Sequence, residues 1–389
     1  MSFHGRLKAG GRRRVLIAYR ILPDYRVDFY NRLRGVLAAE DIELRLVYGQ
    51  PTLVEATKRD TTDLEWAERV ESRFLRVGSR YLVWQPITKQ ARAADLVVVE
   101  QASRLLVNYP LLAQQSAGLT KVAFWGHGAN LQTHTAAPGA ERVKRFVSRY
   151  PHWWFAYTDA VRKRVVDLGY PEERITVVQN AIDTTGLRQA RRAVSEDQLR
   201  RFRSTHDLGE GPICAFIGGL YAEKRLPFLI EAADEVHRQR PSFRLIVIGD
   251  GPDRSLVEQA AATRPHIRYL GGLFGSDKVE ALAVAELMLM PGLVGLAVLD
   301  AFALELPLVT TAVDYHSPEI EYLTSGANGV VVQDADDPLA YAKTVAGLLE
   351  NEAELTALRG GCREAAEVYT VAAMTARFAD GIAQALEAA

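Results

Sequence analysis

Residues 290–307, MPGLVGLAVLDAFALELP, lead from an apolar strand end through Pro291, Gly292 and Gly295 into a helix-like run. No charged side chain appears before Asp300. Glycines between a strand and a helix let a ligand reach the backbone. The first amides of the helix are unpaired donors at the positive end of its dipole, so phosphate is the natural ligand. The turn presents Gly292, Val294, Gly295 and Leu296 to it. Asp300 lies about one and a half turns into an otherwise apolar helix, where a neutral partner such as a ribose hydroxyl would justify it. The alternative is a tight packing turn with a solvated Asp. A second group, Gly218, Gly219, Lys224 and Arg225, follows the apolar run ICAFIG. A mobile ammonium there would neutralise a departing diphosphate as a point charge; otherwise Lys224 is a loop lysine in water.

Other candidates stand apart from these. His127, in WGHG, has Gly126 and Gly128 beside it to permit close backbone approach, although a lone loop histidine is more often structural. Glu100, at the end of DLVVVE, either accepts a hydrogen bond from a hydroxyl or sits in water. QDADDP (333–338) contains Asp334 and Asp336, spaced like a metal pair but placed where a helix begins, so N-terminal capping explains them and no metal site is expected. The basic stretch ERVKRFVSRY (141–150) followed by HWWF suggests contact with an anionic membrane surface, but WWFAY also reads as a buried strand, which is favoured.

These residues need elements to hold them. Short apolar runs at 14–19, 43–48, 95–100, 121–125, 153–157 and 175–178 alternate with helical patterns, and the series restarts at 213–218, 243–249, 267–270, 287–290, 307–311 and 329–332. Such alternation is the mark of parallel sheets built from strand–helix–strand units. Two α/β domains of Rossmann-like, doubly wound type are expected, facing one another across a ligand cleft: residues 1–185, residues 186–371, and a terminal helix 372–389 packing back on the first. The polar, basic stretch 177–198 places the hinge near 180 to 190. A chain of 389 residues is long enough for two cores, and a net charge of -1 argues against nucleic acid as the main partner. Two distant cysteines, Cys214 in an apolar run, fit a reduced cytoplasmic setting, and no run is long enough to span a membrane.

In order along the chain, GGLYAEKRLPFLIEA (218–232), VIGDGP (247–252) and MPGLVGLAVLDAFALELPLVTT (290–311) resemble the donor-sugar domain of retaining glycosyltransferases of the GT-B fold, family 4. VLIAYRILPDYRVDFYNRL (15–33), FWGHGANLQ (124–132) and VVQNAID (177–183) are also similar to family members. The resemblance implies metal-independent transfer of a sugar from a nucleoside diphosphate, UDP above all, to a hydroxyl acceptor that is a glycan, a lipid-linked group or a small molecule. It implies no cofactor beyond that donor. It makes Lys224 and His127 catalytic, His127 by contact with the donor sugar, gives Asp300 the ribose, and adds Gly249 and Leu270 to the donor set. It assigns acceptor contacts to the loop carrying Asp24, Tyr25 and Arg26, with Glu100 nearby. Two positions depart from the family pattern: Gly219 stands for an arginine and Gly292 for a glutamate, while Arg225 replaces the usual glycine after the lysine. A displaced Arg225 guanidinium would restore the missing phosphate charge; the alternative is an arginine facing solvent. A sugar-nucleotide epimerase of the same plan, or a binding protein without catalysis, are the other readings. The protein is expected in the cytoplasm, with a peripheral place at the inner face of the membrane as the less favoured alternative.

Overall fold

The computed structural model describes residues 12–52, 61–78, 80–128 and 147–389. The chain divides into Met1–Ile182 with Val371–Ala389, and Asp183–Thr370.

The first unit is built on β1 (Arg13–Ile21), β2 (Ile42–Gly49), β3 (Glu68–Arg69), β6 (Leu96–Glu100), β7 (Lys121–Gly126), β8 (Trp153–Ala156) and β9 (Ile175–Val177). They form one sheet in the order β3-β2-β1-β6-β7-β8-β9, with every pairing parallel. Unbroken apolar runs suit strands covered on both faces: Val15, Ile17, Val97, Val98, Val122 and Trp154 are all buried. The order reverses beside β1, and the carboxyl ends of β1, β6 and β7 deliver Tyr19, Glu100 and His127 to one edge. Between β3 and β6 an antiparallel hairpin, β4 (Arg73–Val77) and β5 (Arg80–Trp84), stands outside this sheet.

The terminal helix Val371–Glu387 belongs to the same unit. Phe378 stacks on Phe155 at 4.2 Å and lies 5.0 Å from Trp125 and 5.3 Å from Phe29. Its last carbonyls have no partner within the helix, and side chains from the sheet supply them. The Lys121 ammonium donates to Leu386 O at 3.0 Å, to Ala385 O at 3.3 Å and to Ala388 O, and His152 Nε2 donates to Ala385 O at 2.9 Å.

The second unit repeats the plan with β10 (Ile213–Ile217), β11 (Arg244–Ile248), β12 (Ile267–Gly271), β13 (Leu287–Met290), β14 (Leu308–Thr311) and β15 (Gly329–Val332). The order is β12-β11-β10-β13-β14-β15, again all parallel, reversing between β10 and β13. The basic stretch expected to be a hinge is largely helical: Thr184–Ala193, capped by Asp183, and Glu196–Thr205, opened by a Ser195/Gln198 capping box. Cys214 and Cys362 are both buried and free. Among the described residues no helix is long and apolar enough to cross a membrane.

Candidate functional site

The carboxyl ends of β10, β13 and β14 bring most of the donor candidates together in the second unit. β10 and β11 close on each other backbone to backbone, since a Cβ on Gly249 would lie 1.9 Å from Gly218 O. Beyond Gly218 the chain makes a short 3-10 turn, Ala222–Lys224, that carries the lysine inward. Lys224 is only 6% exposed, so it is no solvated loop residue. Its ammonium donates to Leu293 O at 2.5 Å and lies 5.6 Å from the centre of the Tyr221 ring. Burial draws its pKa down to about 8, against the opposing pull of Glu223. No carboxylate is paired with it among the described ion pairs. The Tyr221 ring also fills the space above Gly219, where a Cβ would sit 2.6 Å from the ring. An arginine at 219 would therefore have to displace that ring.

The turn after β13 rests directly on the lysine's backbone. A Cβ on Gly292 would come within 2.2 Å of Glu223 O and 2.6 Å of Lys224 C, so close approach demands glycine where the family pattern has glutamate. Leu293 N donates to Glu223 O at 2.8 Å. Val294 N donates to His316 Nδ1 at 3.0 Å, and His316 Nε2 donates to Thr311 O at 2.8 Å. This pairing requires a neutral imidazole with its proton on Nε2. Burial, and secondarily the nearby Lys224, hold its pKa below the ordinary value. Thr311 Oγ1 completes the frame by donating to Pro291 O at 2.6 Å. The expectation that the whole turn offers its amides is thus corrected. Those of Leu293 and Val294 are already engaged, whereas the amides of Gly292, Gly295, Leu296 and Ala297 have no acceptor among the described residues.

Asp300 meets a cation, not a neutral group. Its carboxylate pairs with Lys278 at 3.0 Å, and both side chains are largely buried. Arg225 has φ 56°, the left-handed conformation that a glycine in the family pattern adopts without strain. Its guanidinium lies 4.4 Å over Phe228 and donates to Ala335 O at 2.5 Å, to Thr311 Oγ1 at 3.4 Å and to Asp336 Oδ1 at 2.8 Å. It does not face solvent, and Asp336 is no helix cap. Asp337 caps instead, accepting from Leu339 N at 2.8 Å. Among the described residues no group of three or more His, Cys, Asp or Glu is arranged to hold a metal ion. Leu270 lies half-buried near the end of β12, where Tyr269 donates through its hydroxyl to Gly249 O at 2.9 Å.

The first unit gathers a separate group. Asp24–Arg26 forms a 3-10 turn after β1. Tyr25 is exposed, but Arg26 is only 1% exposed, which corrects its reading as an acceptor contact. Its guanidinium donates to Asn180 Oδ1 and to Ala181 O at 3.4 Å, and lies 5.1 Å over Trp125. It works as an internal tie between the loops after β1 and β9. Asp24 Oδ1 accepts from Tyr25 N at 2.6 Å. Glu100 Oε2 accepts from Arg20 N at 2.6 Å, and burial raises its pKa. His127 packs against Tyr157 with ring centres 4.5 Å apart, and its carbonyl accepts from Arg164 at 3.4 Å. The segment following Gly128 and residues 141–146 of the basic stretch lie outside the described residues. His152, Trp153, Trp154 and Phe155 are buried, which withdraws HWWF from any membrane role.

Sequence reasoning missed Lys278, His316 and Thr311. Lysine and threonine types carried no distinguishing pattern there, but His316, two residues before Pro318 and beyond an apolar strand, was a signal available to be weighed.

Residues 211–351 match the family model described as glycosyl transferases group 1. The chain is 23% identical to the GDP-mannose-dependent alpha-(1-6)-phosphatidylinositol monomannoside mannosyltransferase of Mycolicibacterium smegmatis, over 80% of this chain and 75% of that protein. With the alpha-D-kanosaminyltransferase of Streptomyces kanamyceticus identity is 27%, over 37% of this chain and 38% of that one, so the match spans about two fifths of that relative's length. In structure it superposes on Anabaena HepE, solved in complex with UDP, at a TM-score of 0.71 with 13% identity, covering 95% of this chain and 99% of HepE. The fold is therefore GT-B, with two Rossmann-like α/β units, and its sequence relatives are glycosyltransferases.

Proposed function

We propose that the chain is a retaining glycosyltransferase, independent of metal, that moves a sugar from a nucleoside-diphosphate sugar to a hydroxyl acceptor, with UDP as the first donor nucleotide to test. The observation that carries this reading is Lys224. A buried ammonium with no carboxylate partner among the described residues, held against the turn before a helix, is a cation suited to an anion. The mannosyltransferase and HepE, by their names and bound UDP, support a nucleotide donor.

In this reading the diphosphate lies against the free amides of Gly295 and Leu296, and Lys224 takes up the negative charge that develops as the bond from anomeric carbon to phosphate oxygen breaks. The acceptor oxygen bonds to the same face of the sugar, and its proton passes to the departing phosphate oxygen. Asp300 holds the ribose once Lys278 gives way, and His127 takes the sugar-contacting part that the resemblance assigns it.

Anomeric configuration of the product, read by NMR, tests the stereochemistry. Transfer in excess EDTA tests the absence of metal. Retention with undiminished rate is expected, and inversion overturns the mechanism. EDTA-sensitive transfer overturns metal independence.

A further inference from the structure

Among the described residues, the hairpin β4–β5 carries three exposed apolar side chains close together. Leu75 is 59% exposed, Val77 55% and Tyr81 43%. Its register pairs Arg73 with Trp84, Leu75 with Leu82, and Arg76 with Tyr81. Alternate residues of a strand share a face, so Arg73, Leu75 and Val77 lie on one side and Phe74 and Arg76 on the other. The base of the hairpin is fixed. Val83 is buried and exchanges backbone bonds with Arg104 O at 2.8 Å and Leu106 N at 2.9 Å, and Gln85 Nε2 donates to Tyr19 O at 2.9 Å. Exposure rises from Val83 towards the turn at Gly78, and the face bearing Leu75 and Val77 is left largely open by the described residues.

Composition names the occupant. Residues 73–84, RFLRVGSRYLVW, hold three arginines and no carboxylate. Two-stranded hairpins are marginal in water, and an uncovered apolar face on one is a liability unless it has a use. Aliphatic and aromatic side chains near a turn, framed by arginine alone, complement an anionic lipid surface: the apolar groups enter the boundary of the acyl chains while the guanidinium groups meet phosphate. We infer that the β4–β5 hairpin docks the protein on an anionic bilayer through the face bearing Leu75 and Val77, which enter it, with Arg73 on the same face and Arg76 on the other meeting the headgroups. This docking goes beyond the sugar-transfer reading and does not depend on it.

Sedimentation with vesicles of phosphatidylcholine mixed with phosphatidylglycerol, against pure phosphatidylcholine, reads the interaction directly. The intact chain should bind the anionic vesicles, and more weakly as salt rises. The double variant Leu75→Glu/Val77→Glu and, separately, Arg73→Glu/Arg76→Glu should each weaken binding by about tenfold or more. All four side chains are exposed, so circular dichroism and thermal midpoint should stay those of the parent; these serve as the folding control. Absence of binding to anionic vesicles, or undiminished binding by the Leu75/Val77 variant, overturns the inference. So does a dimer in light scattering that the same variant dissolves while vesicles remain unbound, because the face then belongs to a second copy.

Discussion

Lys224 is held in an environment that works against its own charge. Its folded pKa, drawn down to about 8, lies below that of an unfolded lysine, so the unfolded chain binds more protons between these values. By linkage this buried charge opposes folding in full below pH 8, on the order of 3 kcal/mol, and the penalty fades as pH rises towards the unfolded value. Lys224→Met should therefore raise the thermal midpoint at pH 7 and raise it less at pH 9, while slowing transfer strongly. An equal gain at both pH values would show that the ammonium is not the source. Lys224→Ala should lower kcat by on the order of 2–4 kcal/mol of transition-state stabilisation. His316 behaves in the opposite pH range. Its depressed pKa means that stability is complete above the ordinary histidine value and is lost as pH falls through it, because protonation puts a donor against Val294 N–H. UDP affinity, measured by calorimetry, should drop for the parent chain only at more acid pH, as pH falls through the depressed pKa of the folded His316. In His316→Ala it should be weakened throughout and lose that acid dependence.

At the scale of elements, twelve apolar runs announced twelve of the strands, because a parallel strand buried on both faces must be apolar throughout. The hairpin was not legible for the converse reason: Arg73, Leu75, Arg76 and Val77 alternate with no buried face to set a period, so RFLRV looks like neither kind of strand. The site shows the same division. Gly292 was readable as a glycine turn, but its backbone contact with residues 223 and 224 is made across 68 residues of sequence, counted from 224 to 292, and no local pattern encodes it. Arg26 was misread because a charged residue in a loop is ordinarily exposed, whereas here Trp125 and Asn180, both distant in sequence, enclose it. Terminal helix and sheet depend on each other in a related way. Lys121→Met should remove the ammonium from three helix-end carbonyls and lower unfolding free energy by roughly 1–2 kcal/mol. Denaturant midpoints check this, and an unchanged midpoint would mean that water replaces the lysine without loss.

For the molecule as a whole, the two units carry separate sheets and separate cores, and each binding site proposed above belongs to one of them. A ligand stabilises only the structure that binds it, by RT ln(1 + [L]/Kd). UDP, assigned to the ends of β10 and β13, should therefore slow hydrogen exchange at residues 218–225 and 291–300 without slowing it in the β4–β5 hairpin. Anionic vesicles should do the reverse. Amides of Leu293 and Val294 provide an internal standard, since Glu223 and His316 already hold them before ligand arrives. Their exchange should start slow and change little, while Gly295 and Leu296 start fast and gain protection. Equal protection of all four amides would mean that the turn rearranges on binding, and that His316 does not hold it in the conformation described. Protection confined to the hairpin in the presence of UDP would move the nucleotide out of the second unit altogether.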